Sequence, residues 1–310
     1  MNYKRISPKY VSSAEYKLTK QQKQFYEENG YLLFRNLFES TSLDRYRKRF
    51  SELCHQPEKV TIIKENSLVS AKKTPEEYVY KIQDIINDEV YMSYSEDSRV
   101  LDIVSQLIGD DISAVNLMLI NKPPESTRHP AHQDQWYFPF GPTDKIIAMW
   151  TALDPANLQN GCLYIVPGSH KCGKLFKHVT FKNSKKFFHV IADEDQLAPL
   201  SNRLYLEMSP GDTVFFHPYL IHGSGPNDTK DYRKALTIHY ANSACHYVDL
   251  RGTVQEELST GTLNNAYFDV HCCTCRTAAH KHHASTHKAE VSILIYDCPT
   301  NPRSFCFFIK

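Results

Sequence analysis

Between Ala114 and Ala241 the chain is cut into apolar runs of strand length by clusters of proline, glycine and asparagine, and that punctuation is its tightest constraint on fold. The runs are Ala114 to Ile120, Ile146 to Leu153, Leu163 to Val166, Thr213 to Phe216 and Ala235 to Ala241. Between them stand Lys122-Pro123-Pro124, Phe140-Gly141-Pro142, Gln159-Asn160-Gly161, Val166-Pro167-Gly168-Ser169 and Ser209-Pro210-Gly211-Asp212. Proline cannot donate to a sheet ladder and glycine admits turn conformations closed to other residues, so each cluster ends a strand. Upstream the spacing is helical. Thr19 can cap a helix through Phe25 and Tyr26 that Asn29-Gly30 stops, with a strand from Tyr31 to Phe34 after it. Leu43, Tyr46, Phe50 and Leu53 recur at three and four along a helix from Ser42 to Leu53. Ser98 can cap another, containing Val100, Leu101, Val104 and Leu107 and ended by Gly109, while Tyr78 to Gln83 reads as a strand and 56–75 as irregular. Helices first and many short strands afterwards predict a mainly β fold with flanking helices, a double-sheet jelly roll that encloses a site between its sheets.

Charge sets aside several classes of partner. The 36 basic and 35 acidic residues nearly cancel, so no broad field invites nucleic acid or an anionic membrane surface, and an anionic small molecule has to be held locally. No apolar run approaches the roughly 20 residues of a membrane span, and Met1 to Pro8 lacks the apolar centre of a secretory signal. The nine cysteines are odd in number and unevenly spread, which fits reduced thiols in an intracellular compartment.

Two separated segments carry the candidate chemistry. In an extended strand His132 and Asp134 point to one side while Gln133 points away, a two-pronged claw beside the aromatic run from Trp136 to Phe140. A third ligand from a distant strand would complete two imidazoles and one carboxylate on one face of a metal ion, leaving the other open. His217 and His222 compete for that role. Gly223-Ser224-Gly225 permits close approach of backbone to a ligand beside His222, which is therefore preferred. After this loop the chain returns through Arg233 to Ile238 and can pair as a hairpin with the strand preceding His222, bringing Arg233 near the metal. A guanidinium fork suits an acidic cosubstrate. The same three ligands could hold hydrolytic zinc; the nearby arginine favours iron.

On these segments the sequence resembles the phytanoyl-CoA dioxygenase family of iron(II)- and 2-oxoglutarate-dependent oxygenases. The resemblance is carried by Met118-Leu119-Ile120-Asn121-Lys122-Pro123-Pro124, Arg128-His129-Pro130-Ala131-His132-Gln133-Asp134, Tyr137-Phe138-Pro139-Phe140, Pro167-Gly168-Ser169-His170-Lys171 and Gly211-Asp212-Thr213-Val214-Phe215-Phe216-His217-Pro218. It continues through Leu220-Ile221-His222-Gly223-Ser224-Gly225 and spans about Leu18 to Glu257. It implies a double-stranded β-helix, a cupin-like jelly roll, with His132, Asp134 and His222 on Fe(2+). It further implies Arg233 and Ser224 on the distal carboxylate of 2-oxoglutarate, Trp150 and Gln133 lining the cosubstrate pocket, and Met118 and Lys81 as further contacts. The implied reaction consumes O2 and 2-oxoglutarate, releases succinate and carbon dioxide, and hydroxylates the α-carbon of phytanoyl-CoA or a related branched fatty acyl-CoA, with ascorbate as helper and the peroxisome as compartment.

The resemblance stops near Glu257, so the expected organisation is a flexible segment 1–17, an oxygenase domain 18–260 and an atypical tail 261–310, disordered or poorly packed. Cys272, Cys275, His280 and His283 offer a small zinc site as an alternative, although the gap between the pairs is short for one. The terminal Phe307-Phe308-Ile309-Lys310 is not a Ser-Lys-Leu-type address. Two rival readings stand beside the main one: the same chemistry on a different substrate, and an inactive family member with a binding role.

Overall fold

Inward and outward parity along one strand explains the architecture. In a computed structural model that describes residues 16–181, 188–259, 293–297 and 305–309, the strand Arg233–Asn242 lies near the middle of a seven-stranded antiparallel sheet. Its Leu236 and Ile238 point to a core made with Leu43, Tyr46 and Phe50 of the helix Ser40–Cys54 and with Val100, Ile103 and Val104 of the helix Ser98–Ile108. Ala235 points the opposite way, into a second core with Trp150, Leu163 and Ile165. Alternate residues thus serve two layers. Each large apolar side chain buried there stabilises the fold by about 1.5–3 kcal/mol.

The large sheet runs in the order Tyr31–Phe34, Thr213–Phe216, Ile146–Ala152, Arg233–Asn242, Ile112–Lys122, Val79–Gln83 and Thr61–Lys64. A four-stranded sheet, Leu204–Leu206, Leu163–Ile165, His222–Ser224 and His129–His132, packs over its inner face. The arrangement is the predicted jelly roll with helices on its outer face. Among the described residues no helix is long and apolar enough to cross a membrane.

The predicted elements recur with local differences. Thr19 and Gln22 exchange side chain to backbone hydrogen bonds at the start of Lys20–Asn29, a reciprocal cap, and the amide of Gly30 closes the helix on the Tyr26 carbonyl. The helix expected from Ser42 begins at Ser40. Asp97, not Ser98, caps the helix Ser98–Ile108, because its carboxylate accepts the Arg99 amide at 3.0 Å. The stretch 56–75 is less irregular than expected: Thr61–Lys64 forms an edge strand against Val79–Gln83, and a short helix spans Asn66–Ser70. No residue of that edge strand is buried, which explains its faint apolar signal.

At the N-terminal end, Gln106 accepts the Leu18 amide and donates to the Tyr16 carbonyl, so packing reaches back past the expected boundary at Leu18. Residues 1–15 lie outside the described residues, as do Cys272, Cys275, His280 and His283. Within the tail, Ile293–Asp297 pairs antiparallel with Phe305–Ile309.

Candidate metal centre

His132 and His222 are directly opposed residues on neighbouring strands of the small sheet, so their side chains leave the same face side by side. Their ring centroids lie 4.2 Å apart. Each Nδ1 faces a carbonyl two residues back, Pro130 for His132 and Leu220 for His222, both at 2.9 Å. A carbonyl only accepts, so each Nδ1 carries the proton and each Nε2 offers a lone pair. Both Nε2 atoms converge on Oδ1 of Asp134, at 3.4 Å and 3.5 Å. Asp134 begins a short 3-10 turn, Asp134–Tyr137, beyond the end of the strand, in contrast to the continuous strand expected for the claw. The backbone of Gln133 is still extended (φ −118°, ψ 128°), which carries the alternation one residue further and returns Asp134 to the side of His132.

Three acceptor atoms in one buried place repel one another unless a cation lies between them. The donor atoms of His132, Asp134 and His222 all fall within 4.8 Å of one another, and among the described residues these three form the one such group. Burial pushes the His222 imidazole down to about 4, and the charge of His132 adds to the effect. Burial alone would raise Asp134, but the imidazoles of His222 and His239 outweigh it and hold the carboxyl well below its usual range. At neutral pH His222 and Asp134 are therefore in their ligating forms. Two nitrogens and one carboxylate oxygen with open positions fit iron(II) and equally fit zinc.

His239, which the sequence reading missed, lies on the inner face of Arg233–Asn242 and donates from Nε2 to Oδ2 of Asp134 at 2.8 Å. The signal for it was the parity of the strand: counting by twos from Arg233 reaches Ala235, Thr237 and His239. His217 stays outside the donor group. Its Nδ1 accepts the Tyr219 amide at 3.0 Å, its ring packs against His170, and burial pushes it down to about 3. Gly223, beside His222, is required by protein packing. A Cβ on Gly223 would come within 2.4 Å of the Tyr164 hydroxyl.

Arg233 reaches the interior by a route other than the expected hairpin. Its strand lies between Ile146–Ala152 and Ile112–Lys122, whereas the strand preceding His222, Thr213–Phe216, is two places away and His222 itself belongs to the opposite sheet. Arg233 is buried, with its guanidinium 5.4 Å from the Trp150 ring centroid and Nη2 donating to the Gly161 carbonyl at 2.9 Å. Nε has no hydrogen-bond partner, and among the described residues no carboxylate forms an ion pair with Arg233. Burial lowers its pKa.

Register places the other expected residues. Met118, Thr237 and Trp150 form a row across three adjacent strands on the inner face. Ser224 comes from the small sheet, paired with Leu163, and faces inward with it. Lys81 pairs with Ile120 while its neighbour Ile82 faces the helices, so Lys81 turns inward; burial pushes its pKa down to about 8. The Gln133 side-chain amide donates to the carbonyls of Lys174 and Tyr219 and accepts the Phe176 amide, and so secures a loop.

The family model described as Phytanoyl-CoA dioxygenase (PhyH) matches residues 26–235. A Caenorhabditis elegans protein named "Probable phytanoyl-CoA dioxygenase" is 45% identical over 258 residues, 78% of this chain and 81% of its own. The Homo sapiens protein named "Phytanoyl-CoA dioxygenase, peroxisomal" is 40% identical over 261 residues, covering 81% and 76%. Among solved structures, EctD from S. alaskensis with bound Fe superposes with a TM-score of 0.60 at 20% identity, covering 75% of this chain and 79% of that one, a likeness of fold.

Proposed function

The chain belongs to the phytanoyl-CoA dioxygenase family, and from that membership we propose that it is an iron(II)- and 2-oxoglutarate-dependent dioxygenase hydroxylating the α-carbon of phytanoyl-CoA and related branched fatty acyl-CoAs. Succinate and carbon dioxide are the coproducts. The observation that carries this reading is the buried, uncompensated guanidinium of Arg233, which a hydrolytic zinc site does not need and a dicarboxylate cosubstrate does.

His132, Asp134 and His222 would hold the iron. Bound iron supplies the activation of O2 that couples decarboxylation of 2-oxoglutarate to hydroxylation. Arg233 pairs with the distal carboxylate, and the Trp150 face beneath the guanidinium fixes its plane. Ser224 offers a hydroxyl from the opposite sheet, while Met118 and Lys81 lie on the inner face of the same sheet as Arg233. Enclosure between two sheets keeps bulk water from the reacting atoms. Ascorbate would serve as a helper reductant. The name of the human relative supports a peroxisomal location.

Anaerobic titration with iron(II) and 2-oxoglutarate tests the site. A weak visible charge-transfer band is expected, followed by succinate formation on admitting O2 and phytanoyl-CoA. Absence of the band sinks the oxygenase reading; a band without acyl-CoA-stimulated succinate sinks the substrate.

A further inference from the structure

The two oxygens of Asp134 have different partners. Oδ1 faces the Nε2 atoms of His132 and His222, while Oδ2 accepts the hydrogen bond from His239. We propose that His239 is a positioning residue: by claiming Oδ2 it makes Asp134 a one-oxygen ligand and so keeps a further position on the ion free for ligands arriving from solution. A carboxylate left to itself can ligate through one oxygen or both. Two oxygens on the ion would occupy a position that a bidentate cosubstrate and O2 require.

Three features make this contact a fixed one. His239 comes from the large sheet and the imidazole ligands from the small sheet, so the bond crosses the interior and its length is set by sheet packing rather than by a local loop. The pairing of Arg233–Asn242 with Ile112–Lys122 shifts register between His239 and Tyr240, a bulge of the kind that re-aims a side chain. Phe138 packs on the imidazole with centroids 4.7 Å apart, and Ala148 beside it in the sheet leaves the ring room. A carboxylate only accepts, so Nε2 carries the proton; Nδ1 makes no hydrogen bond, and Asp134 is the one polar partner of the ring among the described residues. His239 is buried, so water has little access to replace it.

This inference rests on the oxygenase reading, because it places an ion at the triad. Its test compares the full chain with His239→Gln, whose amide N–H reaches nearly as far as Nε2, with His239→Asn, whose amide is too short, and with His239→Leu. Anaerobic titration with cobalt(II) alone reads affinity and coordination through the visible ligand-field spectrum, and 2-oxoglutarate is then added. His239→Leu and His239→Asn should bind cobalt about 10–100-fold more weakly and show an altered spectrum, with His239→Gln close to the parent. Parent-like affinity and spectrum in His239→Leu would overturn the proposal, and so would a loss in His239→Gln as large as in His239→Asn. Should His239→Leu fail to fold, the Gln and Asn variants decide alone. A parent chain that binds no cobalt counts against the oxygenase reading itself, a separate failure.

Discussion

At the scale of single residues, Arg233 is an exacting group, since a cation with no paired carboxylate among the described residues is held between Trp150 and the Gly161 carbonyl. Its worth to the protein depends on what binds there. Hydrogen bonds to a charged partner contribute about 1.5–3 kcal/mol, or roughly 10- to 150-fold in a binding constant. Arg233→Ala should weaken 2-oxoglutarate by that order or more while iron(II) affinity in its absence stays near that of the parent, because Arg233 is not among the donor atoms. Arg233→Lys should recover only part of the loss, since an ammonium cannot form the planar fork. Equal 2-oxoglutarate affinity in Arg233→Ala and the parent would show that the guanidinium serves some other anion.

At the scale of elements, the turn Gln159-Asn160-Gly161 matters because its last carbonyl fastens Arg233. Gly161 has φ +80°, and a Cβ there would stand 2.5 Å from the Gly225 carbonyl oxygen and 2.7 Å from Cε of Lys122. Backbone cannot yield as a flexible side chain can, so Gly161→Ala should destabilise the fold by more than about 1 kcal/mol and weaken 2-oxoglutarate together with it. Thermal melting and an isotherm on the same preparation check both; an unchanged melting temperature would refute the packing argument. Such turns are also what made the fold legible. Glycine and proline clusters cut the β region into strands that recur nearly as read, Thr213–Phe216 among them, and alternation placed His132 and Asp134 on one side with Gln133 opposite. Strand partners were less legible. The hairpin expected between Arg233 and the strand before His222 failed because sheet order is a long-range property that no local spacing encodes. His239 escaped for a related reason: its role depends on a carboxylate 105 residues away in sequence.

For the whole molecule, the enclosed histidines set a common response to acid. Burial pushes His178 and His217 down to about 3 and His222 to about 4, against an unfolded value near 6.5. Below about pH 6.5 the unfolded chain takes up protons at these positions and the native chain does not, so the unfolded state is favoured progressively as pH falls. Native-state neutrality therefore stabilises the protein above pH 6.5, and that stability is lost between about 6.5 and the native values of 4 and 3. Each imidazole contributes up to about 1.4 kcal/mol per pH unit in this window. Metal-free protein should accordingly lose stability steeply from pH 6.5 to pH 5 in denaturant titrations. Iron(II) should shift the curve upward, because it binds the donor atoms that only the native chain brings together. His217→Phe, which removes one buried imidazole away from the donor atoms, should shallow the slope without changing the metal-dependent shift. A stability that stays flat between pH 7 and pH 5 would mean that these rings are hydrated and that the two sheets do not close over the site.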